Sequence, residues 1–399
     1  MTQLSHLASA IRPSTIGEVF ELATQLRAEG QDLIDLSVGE PAFDTPPHIC
    51  EAARTAIAEG QTRYTAVDGT QALKEAVCRK FARDNGMNVA PVNAIVGSGA
   101  KQVLSVALQA VLDPGDEVIL PTPCWTSHLG MLEAIGARAR FLPCLKERNF
   151  HLLPDALDAE ITPQTRLLML TSPGNPTGAV LQAPELEEIA EVLRRHTHVL
   201  VLSDDLYEKI VFSPSRFATL ASVAPDLSDR IFTVNGVSKA YAMTGWRIGF
   251  GVGPVWWADG IRKLMSQTSG GPCSVSQAAA IAALDGPQEF LEQWANIYER
   301  NRDVVLQILA DQDRLTPFSP EGAFYVNVDV SRVLGCRTTA GDVVATASDF
   351  CRYLLSHGVV AVPGEAFQAP GLIRISTAAD EATVRKGVQR MVRATGELG

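Results

Sequence analysis

Between about residues 47 and 285 the chain alternates stretches of helical period with short apolar runs of strand length, and no other feature constrains its fold as tightly. Runs at Ala94–Val96, Glu117–Leu120, Ala139–Leu142, Leu167–Leu170, His198–Leu202 and Ile231–Val234 predict strands. Strands that are apolar on both faces suit a parallel sheet covered by helices above and below. Between them, Pro47–Glu59 carries Ile49, Ala52, Ala53, Ala56 and Ile57 at helical spacing. Ala100–Leu112 does the same with Val103, Leu104, Ala107, Leu108 and Val111. The expected class is α/β, with a mostly parallel central sheet flanked by helices.

Beyond Gln288 the pattern changes. A long helix is expected over Phe290–Leu309, an alternating strand within Gly322–Val328, a helix over Asp342–His357, and strands near Val359–Val362 and Leu372–Ser376. This organisation predicts a large domain over residues 46–289 and a smaller α+β domain over 290–399, joined by the N-terminal segment 1–45.

The balance of 34 Lys and Arg against 45 Asp and Glu, a net charge of −11, argues against a nucleic-acid-binding surface, and no polybasic run suits an anionic membrane. An anionic ligand must therefore be held by a few placed cations or by helix ends. No apolar run approaches the ~18 residues that span a bilayer. The seven cysteines are scattered without a C-x-x-C pair, so neither a disulfide framework nor a metal site is expected. With no secretory pattern in Met1–His6, the expected location is cytoplasmic.

The stretch from Asn235 to Gly249 carries the most chemistry. It sets Lys239 just past an apolar strand, among small residues, with Arg247 eight positions later. A lysine after a strand is ordinarily a surface residue. Here small neighbours let a planar group approach the amine, and Ser238 and Arg247 are suited to hold a phosphate attached to that group. Pyridoxal 5′-phosphate (PLP) needs such a set: an amine for covalent attachment and a phosphate anchor at a fixed distance. Other segments read less sharply by themselves. Gly97-Ser98-Gly99 opens a helix and so suits an anion, Asn175-Pro176-Thr177-Gly178 reads as a turn, and Arg374 is a cation inside an apolar strand that needs a partner.

The arrangement around Lys239 closely resembles the PLP-lysine signature of the class I/II aminotransferases. Further matches follow in the family's order over residues 12–395. The resemblance implies the fold-type I architecture and assigns roles residue by residue. Gly99, Ala100 and Lys101 would give main-chain N–H groups to the PLP phosphate, and Trp125 would stack on the pyridine. Asn175 would bond the cofactor's phenolic oxygen, as would Tyr207, and would touch the substrate carboxylate. Asp204, rather than Asp205, would pair with the pyridine nitrogen and keep it protonated, so that the ring serves as an electron sink. Arg374 would clamp the substrate α-carboxylate in bidentate fashion, and the backbone at Gly39 would approach it. Tyr64 would reach the phosphate of a neighbouring subunit, which implies a homodimer with shared sites.

The implied reaction is ping-pong transfer of an amino group between an amino acid and a 2-oxo acid, with Lys239 as base and then acid. The sequence is most similar to the bacterial aspartate aminotransferase branch, in which Lys101 would meet the distal carboxylate of a dicarboxylic substrate and Ser14 would belong to a segment closing over the side chain. Two departures bear on specificity: Gly270-Gly271-Pro272-Cys273 replaces a polar, asparagine-containing stretch, and Ala100 replaces a glycine. Aromatic or broad specificity is the alternative, followed by a PLP lyase or decarboxylase on the same fold. A PLP-binding regulator would need a DNA-binding module for which the N-terminus is too short. A dinucleotide-binding oxidoreductase would need a third glycine after Gly97 and Gly99.

Overall fold

The computed structural model describes residues 4–11 and 15–399. Seven strands form the main sheet: β1 (Ala94–Gly97), β2 (Glu117–Thr122), β3 (Arg138–Pro143), β4 (Thr165–Thr171), β5 (Leu200–Asp204), β6 (Ile231–Gly236) and β7 (Gly249–Val252). Their order across the sheet is β1-β7-β6-β5-β4-β2-β3. Only β7 runs against its neighbours, pairing antiparallel with both β1 and β6; the other pairings are parallel. Because successive side chains leave opposite faces of a strand, each run feeds two cores. Val118, Leu120, Leu167 and Met169 pack on one face with Val103, Leu104 and Trp257. Ile119, Leu168, Leu170 and Val201 pack on the other with Leu186, Ile189 and Leu193.

A second sheet has the order Val362–Pro363, Leu372–Ser376, Tyr325–Asp329, Thr316–Pro317, with antiparallel neighbours throughout. Its core takes in Val305 and Leu309 from the helix Glu289–Leu309 and Phe350 and Leu354 from the helix Ala347–Ser356. Ile34 and Leu36 belong to the same core, and the strand Ile34–Asp35 pairs parallel with Val359–Val360. The N-terminal segment is thus tied to the C-terminal part of the chain.

Three features depart from the expectation. The helix predicted from Asp342 begins at Ala347, because Thr346 caps it: its hydroxyl accepts from the Asp349 N–H while Asp349 accepts from the Thr346 N–H. The strand predicted near Val359–Val362 divides into two short strands that join different sheets. Strand β7 was not anticipated: its Gly249 and Gly251 break up any apolar run. Both positions need glycine, since a Cβ at Gly249 would run into the Ala100 backbone and one at Gly251 into the Phe232 ring.

Charged links tie the surroundings of the two sheets together; Lys146 pairs with Asp329 of the second sheet (2.8 Å). His151 meets Glu185 through Nδ1 (2.5 Å) and Glu321 through Nε2 (3.0 Å). The two carboxylates push its pKa up to about 10, so the ring is an imidazolium at neutral pH. Glu321 and Gly322 also donate their N–H groups to the Gly178 carbonyl. The segment leading into Tyr325 is thereby held beside the loop that carries Asn175. Among the described residues no helix is long and apolar enough to cross a membrane.

Candidate active site

A cavity of about 350 Å³ opens where the strands of the main sheet end. In a largely parallel sheet the carboxyl ends of the strands leave a crevice, and here the segments after β1, β2, β4, β5 and β6 all contribute to it. Asp204 is the last residue of β5 and Thr171 the last of β4. Lys239 follows β6 by three residues, and its Nζ donates to the Gly39 carbonyl (2.6 Å). Burial depresses the pKa of this amine to about 8, against the pull of Glu40, and the charges of Arg374, Arg247 and Lys101 lower it further.

Arg374 sits in the middle of Leu372–Ser376 and is almost fully buried. Its guanidinium donates to Asn175 Oδ1 (3.1 Å) and to the Ser37 carbonyl (2.5 Å), and among the described residues Nε has no partner. The rings of Tyr325 and Phe367 flank it at 4.3 and 5.0 Å.

The helix Ala100–Gln109 points its N-terminus at the same cavity, with Gly99 as its cap at φ 85°. A Cβ on Gly99 would collide with the Arg247 guanidinium, which donates to the Thr244 carbonyl (2.9 Å). Lys101, one residue into the helix, holds its amine 4.8 Å from the Trp125 ring centre, and burial, then Arg247, lower its pKa. Lys101, Lys239, Arg247 and Arg374 all line the cavity, and none forms an ion pair among the described residues. In a chain of net charge −11 this is a local concentration of positive charge that is not ion-paired.

The one carboxylate lining the cavity among the described residues is Asp204. Its Oδ2 lies 3.4 Å from His128 Nε2, and its Oδ1 is 3.4 Å from the Leu206 N–H. Asp205 is buried elsewhere: its carboxyl accepts from the Ser203 hydroxyl (2.6 Å), and burial pushes its pKa up to about 7. Tyr207 places its hydroxyl 2.8 Å from that of Tyr325, and burial raises both pKa values.

Of the residues singled out in the sequence, Gly39, Ala100, Lys101, Trp125, Asn175, Asp204, Tyr207, Ser238, Lys239, Arg247 and Arg374 share this cavity, and Gly99 caps the helix at its edge. Tyr64 does not join them; its side chain is fully exposed on the surface of the chain. Ser14 lies outside the described residues. Sequence reasoning missed His128, Tyr325, Thr171, Thr126 and Ser127. His128 stands one helical turn after Trp125, a spacing that signals a shared face. Tyr325 belongs to the alternating run read only as a strand.

The model of the family described as aminotransferase class I and II matches residues 31–391. A probable aspartate/prephenate aminotransferase of Rickettsia bellii is 45% identical over 399 residues, covering 100% of both chains. The crystal structure of the aspartate aminotransferase of Rhizobium meliloti superposes with a TM-score of 0.96 at 43% identity, covering 100% of both chains. The Thermus thermophilus aspartate aminotransferase with maleate gives a TM-score of 0.92 at 37% identity, over 99% of this chain and 100% of the other. With a seven-stranded α/β fold, a buried lysine amine at the sheet's crevice and likeness along the whole chain, this protein belongs to the class I and II aminotransferases.

Proposed function

We propose that the protein is a PLP-dependent aspartate aminotransferase that uses 2-oxoglutarate as amino acceptor. The observation that carries the reading is the group of four cations that, among the described residues, have no ion-pair partners, around a cavity also lined by the buried Asp204. A cofactor phosphate and a dicarboxylic amino acid together bring three anionic groups, and a protonated ring nitrogen brings the matching cation.

The residues present fit PLP. A Cβ at Gly99 would strike the Arg247 guanidinium and one at Gly249 the Ala100 backbone, so glycine at both positions lets Arg247 and β7 lie close to the N-terminus of the helix Ala100–Gln109. Arg247, Ser238 and the first turn of the helix would hold the phosphate. Trp125 offers an aromatic face, and Asn175 and Tyr207 would hold the phenolic oxygen. When bound, PLP supplies an aldehyde that condenses with amines and a ring that accepts the electron pair released at the substrate's α-carbon.

Arg374 binds the α-carboxylate, trading the polarity of Asn175 and the Ser37 carbonyl for a full negative charge. Asp204 supplies the negative charge opposite a ring nitrogen, and His128 orients it. Lys101, whose amine lies 4.8 Å from the Trp125 ring centre in the same cavity, would meet the distal carboxylate. Lys239, with its amine pKa near 8, is unprotonated far more often than a free lysine at neutral pH, so it can take a proton from the substrate's α-carbon and deliver it to a second carbon, as transfer of the amino group requires. Tyr64, exposed in the single chain, would complete the phosphate site of a second copy in a homodimer.

The Thermus thermophilus enzyme is seen with maleate, a four-carbon dicarboxylate, which supports a dicarboxylic substrate here. The Rickettsia relative's name supports a second acceptor, prephenate, which also carries a carboxylate remote from its 2-oxo acid group. The test is a donor and acceptor panel on purified protein. Aspartate and 2-oxoglutarate are expected to give glutamate and oxaloacetate. If phenylalanine or alanine exceeds aspartate by about tenfold in kcat/KM, the substrate assignment is wrong. Release of ammonia or carbon dioxide in place of transfer would point to a lyase or decarboxylase.

A further inference from the structure

We propose that Tyr325 is a positioning residue that couples the two halves of the site, holding Arg374 with its ring and Tyr207 with its hydroxyl. The inference rests on the functional reading above and deepens it.

The placement follows from strand register. Tyr325 pairs with Ser376, and Asn327 pairs with Arg374, so Tyr325 and Arg374 are diagonal neighbours on one face of the second sheet. Tyr325 is buried, and its ring lies 4.3 Å from the Arg374 guanidinium carbon. Arg374 has no carboxylate partner among the described residues, so aromatic faces and carbonyl dipoles supply its electrostatic support. Phe367 gives a second face, and Tyr325 in addition meets Tyr207 through its hydroxyl.

That second reach is the hydroxyl pair with Tyr207 at 2.8 Å. Each hydroxyl has one proton to give. If Tyr207 donates its proton to the cofactor's phenolic oxygen, Tyr325 must donate to Tyr207. A hydroxyl that accepts such a bond becomes a stronger donor in turn. The Tyr325 hydroxyl also packs against Gly39, where an added Cβ would strike it, and the Gly39 carbonyl receives the Lys239 amine. One side chain therefore touches the arginine, the tyrosine and the segment that meets the lysine. The charged groups facing this cluster are Arg374, Lys239, Asp204, Lys101 and Arg247, with Glu40 next to Gly39.

The experiment uses the PLP-loaded protein and two variants. Tyr325→Phe keeps the ring and removes the hydroxyl; Tyr325→Leu removes both. Two quantities are measured: the dissociation constant for maleate, and the pH midpoint of the bound cofactor's visible absorption band. Tyr325→Phe is expected to keep maleate affinity within about twofold while moving the midpoint upward by about half a pH unit, the size of a weakened neutral hydrogen bond. Tyr325→Leu is expected to weaken maleate binding by about fivefold or more, as loss of a desolvated cation–π contact requires. A purely structural role would lower the melting temperature without moving the midpoint. An unchanged midpoint in Tyr325→Phe overturns the hydroxyl coupling. That near-isosteric variant carries the test alone if Tyr325→Leu does not fold, and undiminished maleate affinity in a folded Tyr325→Leu overturns the role of the ring. A wild-type protein with no such band overturns the functional reading and this inference with it, whereas a normal wild type beside an unaltered Tyr325→Phe overturns this inference alone.

Discussion

Burial holds the Lys239 pKa near 8, so between pH 8 and the 10.5 of a free lysine the folded chain binds fewer protons than the unfolded chain. Stability therefore rises with pH across that window, and below it the folded protein bears the full cost of a charged amine held partly out of water. At ~1.36 kcal/mol per pH unit, that cost is roughly 3 kcal/mol. In the cofactor-free protein, Lys239→Met should be the more stable form at pH 7 by roughly 2–3 kcal/mol, with the advantage fading as pH climbs towards 10. Urea unfolding at several pH values measures this; equal stabilities at pH 7 would mean that the amine is not penalised. Arg374 poses the same problem more sharply, since it is buried with only dipoles and aromatic faces for company. Both residues make sense as groups kept for a ligand that brings negative charge or covalent partnership.

At the scale of elements, the turn after β5 has to present Asp204 and Tyr207, and its far end is pinned by Glu208. Lys80 and Glu208 form a buried ion pair at 2.5 Å, and Asn85 bridges both, accepting from Lys80 (2.8 Å) and donating to Glu208 (3.0 Å). This ties the turn to the helix Gln71–Asn85. Lys80→Met alone leaves a buried carboxylate without its cation and should cost about 3–5 kcal/mol, whereas Lys80→Met with Glu208→Leu should recover most of the loss. A double variant as unstable as the single one in urea would contradict this account. The central strands were legible in the sequence because their burial on both faces leaves mainly apolar runs such as Leu167–Leu170 and Ile231–Val234. Strand β7 was not, because its glycines answer to the backbone of Ala100 and the Phe232 ring, contacts that only tertiary structure creates. Site residues embedded in motifs, such as Lys239, Asn175 and Asp204, were legible for the same reason that the family resemblance was. His128 and Tyr325 act through neighbours distant in sequence, 76 and 118 residues away, so the local pattern shows at most a face shared with Trp125 for His128 and an ordinary strand for Tyr325.

For the whole molecule, two proposals extend past the single chain and its cofactor-free form. We propose a division at residues 46–289 and 290–399 with the N-terminal segment joined to the latter, and a dimer in which Tyr64 serves the partner's site. The departure at Gly271 fits that picture: a Cβ there would strike Ala66 and Thr65, so the bare turn lets the Tyr64 loop lie close. Gln277 ties the two together, accepting from the Thr70 N–H and donating to Thr65 and to the Pro272 carbonyl. Subunits carrying Lys239→Ala and Tyr64→Ala, each weak alone, should regain activity when mixed, since one site per hybrid then has both residues intact; no regain places Tyr64 with its own chain's site or with none. The central claim is that the Lys239 amine bonds covalently to PLP. Borohydride reduction of the PLP-loaded protein, followed by peptide mapping, tests it directly. A single modified lysine at position 239 is the expected result, and a label on any other lysine, or on none, would contradict the account.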